Sequence, residues 1–294
     1  MTSRHRRILI AATAAVVLIG AACAWAVLQL PALGAGGLLY PSRRPVTQPP
    51  PQHCIDASVT SGDGLTLRGW RCAAQDDPRG TIVYLHGIAD NRTSARGVIE
   101  RFVRRGYGVV AFDSRGHGAS DGDICTYGFH ERHDVRRILD TLPPSPIVLV
   151  GTSLGAAIAL QAAAIDDRVT GVVAAEVFSD LETVARERAP RVFSDASIRE
   201  AFRIAGERGR FDVTAVSPVA SAASIHAPVL LVHGADDIDT PPDHSRRVLV
   251  RLGGPKRLII VPGAGHNGAL RAGTWTTVEQ WIDTIVNART IPRS

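Results

Sequence analysis

Short apolar runs of strand length alternate with helical segments along most of this chain. The runs span residues 81–85, 108–112, 147–150, 169–175, 229–233 and 257–261. Helical segments are predicted at residues 93–105, 129–142, 156–165 and 274–288. Regular alternation of this kind is typical of a parallel sheet whose two faces are covered by helices. We therefore expect an α/β fold with a mostly parallel central sheet.

One long stretch interrupts the alternation. Residues 178–224 carry helical patterns at 181–188 and 197–207 but no strand. A segment of this length between two strands must lie outside the sheet. Above the carboxyl ends of the strands it would form a small helical lid over a site. The alternative is a peripheral helical insertion that contacts no ligand.

The N-terminal segment, residues 1–30, predicts a membrane helix. Basic residues at positions 4, 6 and 7 precede residues 8–30, which contain no charged side chain. At about 1.5 Å per residue this stretch spans a bilayer, and the arginines favour the cytoplasmic side. The body would then face outward, on a membrane anchor. A cleaved signal peptide, giving a secreted protein, is the alternative because residues 24–26 (Ala-Trp-Ala) resemble a cleavage site. The length of the apolar run favours the anchor.

A linker is expected between this segment and the body. Residues 31–53 are rich in Gly and then in Pro, a composition that favours an extended stalk over helix or sheet. The body itself would span residues 54–294.

The charge of the chain argues against one class of partner. The formal net charge is +5, and three of the positive charges are the arginines at positions 4, 6 and 7. The body is therefore near neutral, and it has no basic stripe interleaved with aromatic residues. Nucleic-acid binding is not expected.

Two cysteines flank a predicted β-hairpin. Residues 55–60 and 65–72 are predicted strands around a turn at 61–64. Cys54 and Cys72 lie symmetrically about this turn and would be cross-strand neighbours. In an exported protein we predict that they form a disulfide, which leaves Cys125 unpaired. The alternative is a pair of half-buried free thiols.

The pentapeptide Gly151-Thr152-Ser153-Leu154-Gly155 joins a predicted strand to a predicted helix. A Gly-x-Ser-x-Gly sequence in this position is typical of a nucleophile elbow. The serine there adopts a strained backbone, so its neighbours two positions away need almost no side chain. A glycine-rich turn without catalytic function remains the alternative on this pattern alone.

A nucleophilic serine needs a base, and the base needs an acid that orients it. Four histidines follow Ser153 in the chain: His226, His233, His244 and His266. His266 is the candidate base, because it lies in a Gly-rich turn after the last strand and fits the chain order Ser, acid, His. His233 is expected to be structural.

Several carboxylates could serve as the acid. Asp236, Asp237 and Asp239 all follow the strand at 229–233, and Asp180 follows the strand before it. Acidic residues in turns usually act as solvated caps. The residues alone do not choose among these four.

Acyl transfer also needs two backbone N–H donors for the oxyanion. One is expected from Leu154, directly after the nucleophile. The other is expected from Ile88 in His86-Gly87-Ile88, although these residues could equally form a plain tight turn.

These motifs, in this order, resemble those of α/β-hydrolases over about residues 55–288, and most closely the Bem46-like or serine-aminopeptidase-like serine hydrolases. The matching segments are residues 84–87, 113–120, 151–155, 233–237 and 265–266. The resemblance implies an α/β-hydrolase fold with a small helical lid. It also implies that the acid is Asp237, with Asp236 as the second choice.

The resemblance implies a Ser153–Asp237–His266 triad with Ile88 and Leu154 as oxyanion donors. The expected activity is hydrolysis of a carboxylic ester or thioester through an acyl-enzyme, on a small acyl-containing substrate and without a metal or organic cofactor. A serine peptidase acting on short peptides is the alternative. So is a non-catalytic hydrolase-fold binding protein.

Overall fold

The computed structural model describes residues 3–74 and 78–290. Residues 1–2, 75–77 and 291–294, which belong to the predicted N-terminal segment and body, lie outside the described residues. The strands are β1 (Cys54–Thr60), β2 (Thr66–Cys72), β3 (Gly80–Leu85), β4 (Tyr107–Phe112), β5 (Ile147–Thr152), β6 (Val169–Ala175), β7 (Val229–Gly234) and β8 (Lys256–Val261). The helices are α1 (Ser3–Leu39), α2 (Arg96–Val103), α3 (Glu131–Leu139), α4 (Leu154–Ala163), α5 (Leu181–Arg188), α6 (Asp195–Gly209), α7 (Pro218–Ser221), α8 (Asp243–Arg251) and α9 (Ala272–Thr290).

The strands form a single sheet in the order β1-β2-β4-β3-β5-β6-β7-β8. The β1–β2 and β2–β4 pairs are antiparallel, and the pairs from β4 through β8 are parallel. The central strands β3, β6 and β7 are mostly apolar and buried along their whole length, and β5 is buried except at Thr152. This is expected for parallel strands covered on both sides, and it confirms the predicted mostly parallel sheet.

Two hydrophobic cores lie on opposite faces of the sheet. One contains the buried side of α3, the whole of α4 and Val248 of α8. The other contains Phe102 of α2 and Ile282 of α9. α4 is buried all round, which is why small residues dominate its sequence and no polar face is needed.

The β1–β2 hairpin carries the predicted disulfide. Cys54 lies directly opposite Cys72 in the antiparallel register, and the two sulfurs are bonded. Cys125 is buried and unpaired, and burial raises the pKa of its thiol. It is therefore not a reactive cysteine.

α1 has two parts with different surroundings. Side chains from residue 10 to residue 28 are all exposed, and within residues 4–39 the mean hydropathy reaches 2.4. Among the described residues this is the one helix long and apolar enough to cross a membrane. From residue 29 onward the helix becomes partly buried against α6.

The prediction that residues 31–53 form an extended linker is wrong for residues 31–39, which continue α1. Ala35 and Leu39 are fully buried. A Cβ on Gly34 would lie 3.0 Å from the Phe193 ring and 3.1 Å from the Ala201 Cβ. The small residues that suggested a stalk instead let α1 approach α6 closely, and packing overrides their low helix propensity.

Residues 40–53 contain neither helix nor strand, yet they are attached to the body. Arg43 Nη1 donates to the Ser120 carbonyl at 2.9 Å. Arg96 Nη2 donates to the Pro49 carbonyl at 2.6 Å. This part of the linker runs along the body instead of standing free.

The segment between β6 and β7 contains α5, α6 and α7 and no strand. We call residues 178–224 the insertion. α6 packs against α1, whereas α7 packs against α4 and α8. The end of the insertion therefore lies beside α4 and α8, whereas α6 lies against α1.

Candidate active site

Ser153 occupies a sharp turn between β5 and α4. Its backbone has φ 51° and ψ −114°, a strained conformation for a residue with a side chain. A Cβ on Gly151 would lie 2.2 Å from the Gly155 carbonyl oxygen, and one on Gly155 would lie 2.0 Å from the Leu85 carbonyl oxygen. Both positions therefore require glycine. The turn places Ser153 at the positive end of α4.

The structure brings three predicted residues into hydrogen-bonding contact. His266 Nδ1 lies 2.7 Å from Asp237 Oδ2, and His266 Nε2 lies 3.0 Å from Ser153 Oγ. With the proton on Nδ1, His266 donates to the carboxylate and accepts the hydrogen bond of the serine hydroxyl. This tautomer allows the imidazole to take the serine proton.

Of the four candidate acids, Asp237 is the one in hydrogen-bonding contact with His266. Its Oδ1 accepts hydrogen bonds from the amides of Asp239 and Thr240 at 3.1 Å and 2.8 Å, which leaves Oδ2 for His266. Asp237 is buried, whereas Asp236 and Asp239 are exposed. Asp180 caps α5 by accepting the Thr183 amide at 2.7 Å, so it does not reach His266.

Of the other three histidines, His233 is the one beside this contact, with its Nε2 3.3 Å from Asp237 Oδ2. His233 is buried, accepts from the Ser245 hydroxyl at 2.6 Å and donates to the Thr240 carbonyl at 2.7 Å; burial lowers its pKa. Its hydrogen bond to Thr240 stabilises the turn that contains Asp237, in line with the expected structural role. His244 is buried between Ser179 and Glu187, and His226 is exposed.

The two expected oxyanion donors lie beside the nucleophile. Leu154 is the first residue of α4, and a Cβ on Gly87, the residue before Ile88, would lie 3.9 Å from the Ser153 Cβ. Within the described ranges, neither the Leu154 nor the Ile88 amide donates to a protein acceptor. Both N–H groups are thus available to a ligand next to Ser153.

His86 fixes the peptide that carries the Ile88 amide. Its Nε2 accepts from the Ser114 amide at 3.0 Å, so the proton lies on Nδ1, which donates to the Gly87 carbonyl at 2.7 Å. That carbonyl and the Ile88 N–H belong to the same peptide unit, whose plane is rigid. Burial lowers the pKa of His86, and the neutral ring suits this arrangement of one donor and one acceptor.

His117 packs edge-on against His86, with the ring centroids 5.2 Å apart. Burial and the neighbouring His86 lower the pKa of His117 to about 4, against about 6.5 in an unfolded chain. The unfolded state therefore binds more protons below pH 6.5. The contribution of the neutral His117 to the free energy of unfolding should be fully present above that pH. It should be lost progressively as the pH falls towards 4.

Replacing His117 by Asn should weaken this pH dependence, because Asn does not titrate and can still donate to the Arg115 carbonyl that His117 Nδ1 contacts. Between pH 7 and pH 5 the wild type should lose about 2 kcal/mol more stability than the variant. Urea unfolding at both pH values measures this, with exposed His226→Asn as the surface control. Equal pH dependence in wild type and His117→Asn would contradict the assignment.

Glu176, which the sequence analysis did not single out, supports the loop that carries His266. It directly follows β6, with φ 56°, and is buried. Its carboxylate accepts from the amides of Asn267 and Ala269 at 2.7 Å and 2.8 Å, while burial raises its pKa. An acidic residue at the carboxyl end of a buried strand was the available sequence signal.

Ser153 and His266 line a cavity of about 860 Å³. Glu187 and Arg188 of α5 contribute to its wall, so the insertion does contact the cavity. Arg188 Nε donates to the Asp239 carbonyl at 2.7 Å, and its Nη2 contacts Thr240 Oγ1. Ile238, which is 90% exposed, also lines this cavity.

Known proteins resemble this chain in sequence and in structure. A family model described as the alpha/beta hydrolase fold matches residues 80–211. The uncharacterised protein YfhR of Escherichia coli (strain K12) is 28% identical over 277 residues, covering 90% of this chain and 92% of its own length.

Two solved structures share the fold. The Pyrococcus furiosus esterase Pf2001 superposes with a TM-score of 0.66 at 22% identity, covering 86% of this chain and 99% of the esterase. The Pyrococcus horikoshii acylaminoacyl peptidase superposes with a TM-score of 0.62 at 19% identity, covering 78% of this chain and 41% of the peptidase. With its sheet, its strand–serine–helix turn and these likenesses, the chain has the α/β-hydrolase fold.

Proposed function

We propose that this protein is a serine hydrolase that cleaves carboxylic esters or thioesters through an acyl-enzyme on Ser153. The observation that carries the proposal is the continuous hydrogen-bonded series from Ser153 Oγ through His266 to Asp237 Oδ2. The series opens into a cavity large enough for a small substrate.

In the proposed reaction His266 Nε2 takes the proton of Ser153 while Oγ attacks the acyl carbonyl carbon. Asp237 stabilises the imidazolium through Nδ1. The amides of Leu154 and Ile88 donate to the oxyanion of the tetrahedral intermediate. His266 then protonates the leaving alcohol or thiol. Water, activated by the same histidine, releases the acid and restores Ser153.

Two supporting groups keep this arrangement in place. Glu176 holds the backbone on the far side of His266, and His86 holds the Gly87–Ile88 peptide. Both act through backbone groups of the loops they bind, so they would be positioning residues. Preorganisation of this kind reduces the rearrangement needed during the reaction.

A serine peptidase is the second candidate, because the acylaminoacyl peptidase shares the fold. Esters and thioesters are favoured because amides have poorer leaving groups. A p-nitrophenyl ester and a p-nitroanilide of the same acyl group separate the two activities, since only the leaving group differs. Faster cleavage of the anilide would favour the peptidase.

We also propose that α1 anchors the protein in a membrane with the hydrolase body outside the cytoplasm. The exposed apolar residues 10–28 and the basic residues before them support the anchor and its orientation. The disulfide between Cys54 and Cys72 fits an oxidising compartment. Purified membranes should hold the full-length chain, whereas a soluble form lacking residues 1–26 would indicate cleavage.

A fluorophosphonate probe tests the acyl-enzyme directly, because it reacts with an activated serine. We expect the native full-length protein to be labelled and Ser153→Ala to be unlabelled. Ser179→Ala is the matched control: Ser179 also contacts a histidine, His244, but it is fully buried and its hydroxyl donates to Asp180. Labelling of Ser153→Ala at the wild-type level would refute the proposed mechanism.

A further inference from the structure

A second cavity, of about 380 Å³, lies between the packed part of α1 and the insertion helices α5 and α6. α1 contributes Leu33 and Leu38, and the insertion contributes Val184, Ile198 and Phe202 among others. Of the described residues that line this cavity, Arg188 is the only charged one. The lining suits an apolar occupant, and the volume falls within the range of about 300–1,000 Å³ found for small-molecule sites.

The cavity lies at the point where the exposed apolar part of α1 becomes packed. Residues 10–28 are exposed, and the same uninterrupted helix reaches Leu33 one to two turns later. Leu33 and Val192, which sits beside Phe193 of the cavity wall, are both more than 60% exposed. Leu28 and Leu33 are exposed on this part of α1, so an apolar chain leaving a bilayer along the helix would meet apolar side chains before it reaches the cavity.

Arg188 connects this cavity with the candidate active site, because it lines both. Its guanidinium is bound to Asp239 and Thr240, in the turn that follows Asp237. An arginine in this position can place its aliphatic stem against apolar surface and its charged end in polar surroundings. The apolar and catalytic cavities thus share one lining side chain, Arg188. Its guanidinium is hydrogen-bonded to the turn that follows Asp237.

We propose that the apolar cavity binds the acyl chain of a bilayer lipid ester whose carbonyl reaches Ser153. This inference rests on the proposed serine hydrolase and its membrane anchor, and it adds the substrate class. The alcohol part of the lipid occupies the catalytic cavity. Ser153 Oγ bonds to the acyl carbon, the ester C–O bond breaks, and the alcohol leaves with the proton from His266. Water then releases the fatty acid.

Chain-length selectivity in the full-length protein tests the acyl site. Each buried methylene favours binding by about fourfold, so kcat/KM should be higher for a dodecanoyl than for a butanoyl p-nitrophenyl ester. Ala185 lines the cavity, and Ala185→Phe should lower kcat/KM for the dodecanoyl ester at least about tenfold while leaving the butanoyl ester within about twofold. Ala196→Phe, on the exposed side of α6, should change neither. An unchanged dodecanoyl-to-butanoyl ratio in Ala185→Phe overturns the proposal.

Photocrosslinking tests the same site without catalysis. Full-length Ser153→Ala would be placed in phosphatidylcholine vesicles whose acyl chains carry a diazirine. We expect crosslinks on residues 10–28 of α1 and on residues 181–202 of the insertion, and the insertion crosslinks should fall when Ala185→Phe is added. Crosslinks confined to α1 overturn the acyl site, and absence of α1 crosslinks overturns the bilayer source.

Fluorophosphonate labelling, read together with these two experiments, separates failure of the hydrolase proposal from failure of the lipid site. If Ser153 is not labelled by fluorophosphonate but the insertion is crosslinked, the hydrolase proposal fails and the lipid site stands as a binding site. If Ser153 is labelled and either the chain-length selectivity or the insertion crosslinks are absent, the hydrolase proposal stands and the lipid site is wrong.

Discussion

Replacing Asp237 by Asn should lower kcat/KM for an ester substrate by about 10⁴-fold. The structure gives a specific reason. Oδ1 of Asp237 already accepts two backbone N–H groups, from Asp239 and Thr240. An asparagine must therefore keep its carbonyl oxygen there and turn its NH₂ towards His266. That NH₂ requires an acceptor at Nδ1, which moves the imidazole proton to Nε2, so the ring can no longer take the proton of Ser153.

Asp236→Asn is the matched control for this prediction. Asp236 is the adjacent carboxylate but is exposed, and its replacement should change kcat/KM by less than about threefold, because surface substitutions away from special features have small effects. Steady-state kinetics on a soluble short-chain ester measure both variants. A large loss of kcat/KM in Asp236→Asn, with near-normal kcat/KM in Asp237→Asn, would show that Asp236 and not Asp237 is the acid.

Gly155→Ala should destabilise the folded protein by at least about 3 kcal/mol, at the upper end of the range for overpacked sites. The added methyl group would lie 2.0 Å from the Leu85 carbonyl oxygen and 2.5 Å from its carbon. Both atoms belong to the end of β3, which pairs with β5, so neither can move without disturbing the centre of the sheet. We expect a melting temperature lower by about 6–12 °C, or loss of soluble protein.

Gly97→Ala controls for the effect of an added methyl group at a helix start. Gly97 is the second residue of α2, as Gly155 is of α4, but nothing lies within 4 Å of the position that its Cβ would occupy. The alanine should stabilise the protein by up to about 1 kcal/mol, since glycine is the poorer helix former. Thermal denaturation compares the two variants, and equal melting temperatures would show that the elbow tolerates a side chain.

The central sheet could be predicted from the sequence because its strands β3, β6 and β7 are buried along their whole length. Such strands are continuous apolar runs, and their order along the chain with helices between them indicates parallel pairing. The β6 prediction, residues 169–175, coincides with the observed strand. The Cys54–Cys72 pair could also be placed, because a hairpin register depends only on residues near the turn.

The acid could not be chosen from residue types alone. Asp236, Asp237 and Asp239 share one turn, and what separates them is burial and the direction of two backbone amides. Those depend on the tertiary fold, so the choice of Asp237 came from family resemblance. The geometry of the turn favours that choice.

Long-range packing explains what the sequence analysis missed. Glu176 binds amides more than ninety residues away in the chain, and no local pattern indicates such a partner. The helical state of residues 31–39 depends on α6, which lies far along the sequence. Local composition there favours a linker, and only the tertiary contact makes it a helix.

The packing of residues 29–39 of α1 against the insertion limits how far Ser153 can lie from any membrane that holds residues 10–28. Residues 29–39 add about 16 Å of helical rise, and they pack against the insertion. An enzyme anchored in this way diffuses within the plane of the membrane and not through the bulk solution. Its turnover of a lipid would depend on the number of substrate molecules per unit of membrane area, so diluting a suspension of vesicles should leave the rate per enzyme unchanged.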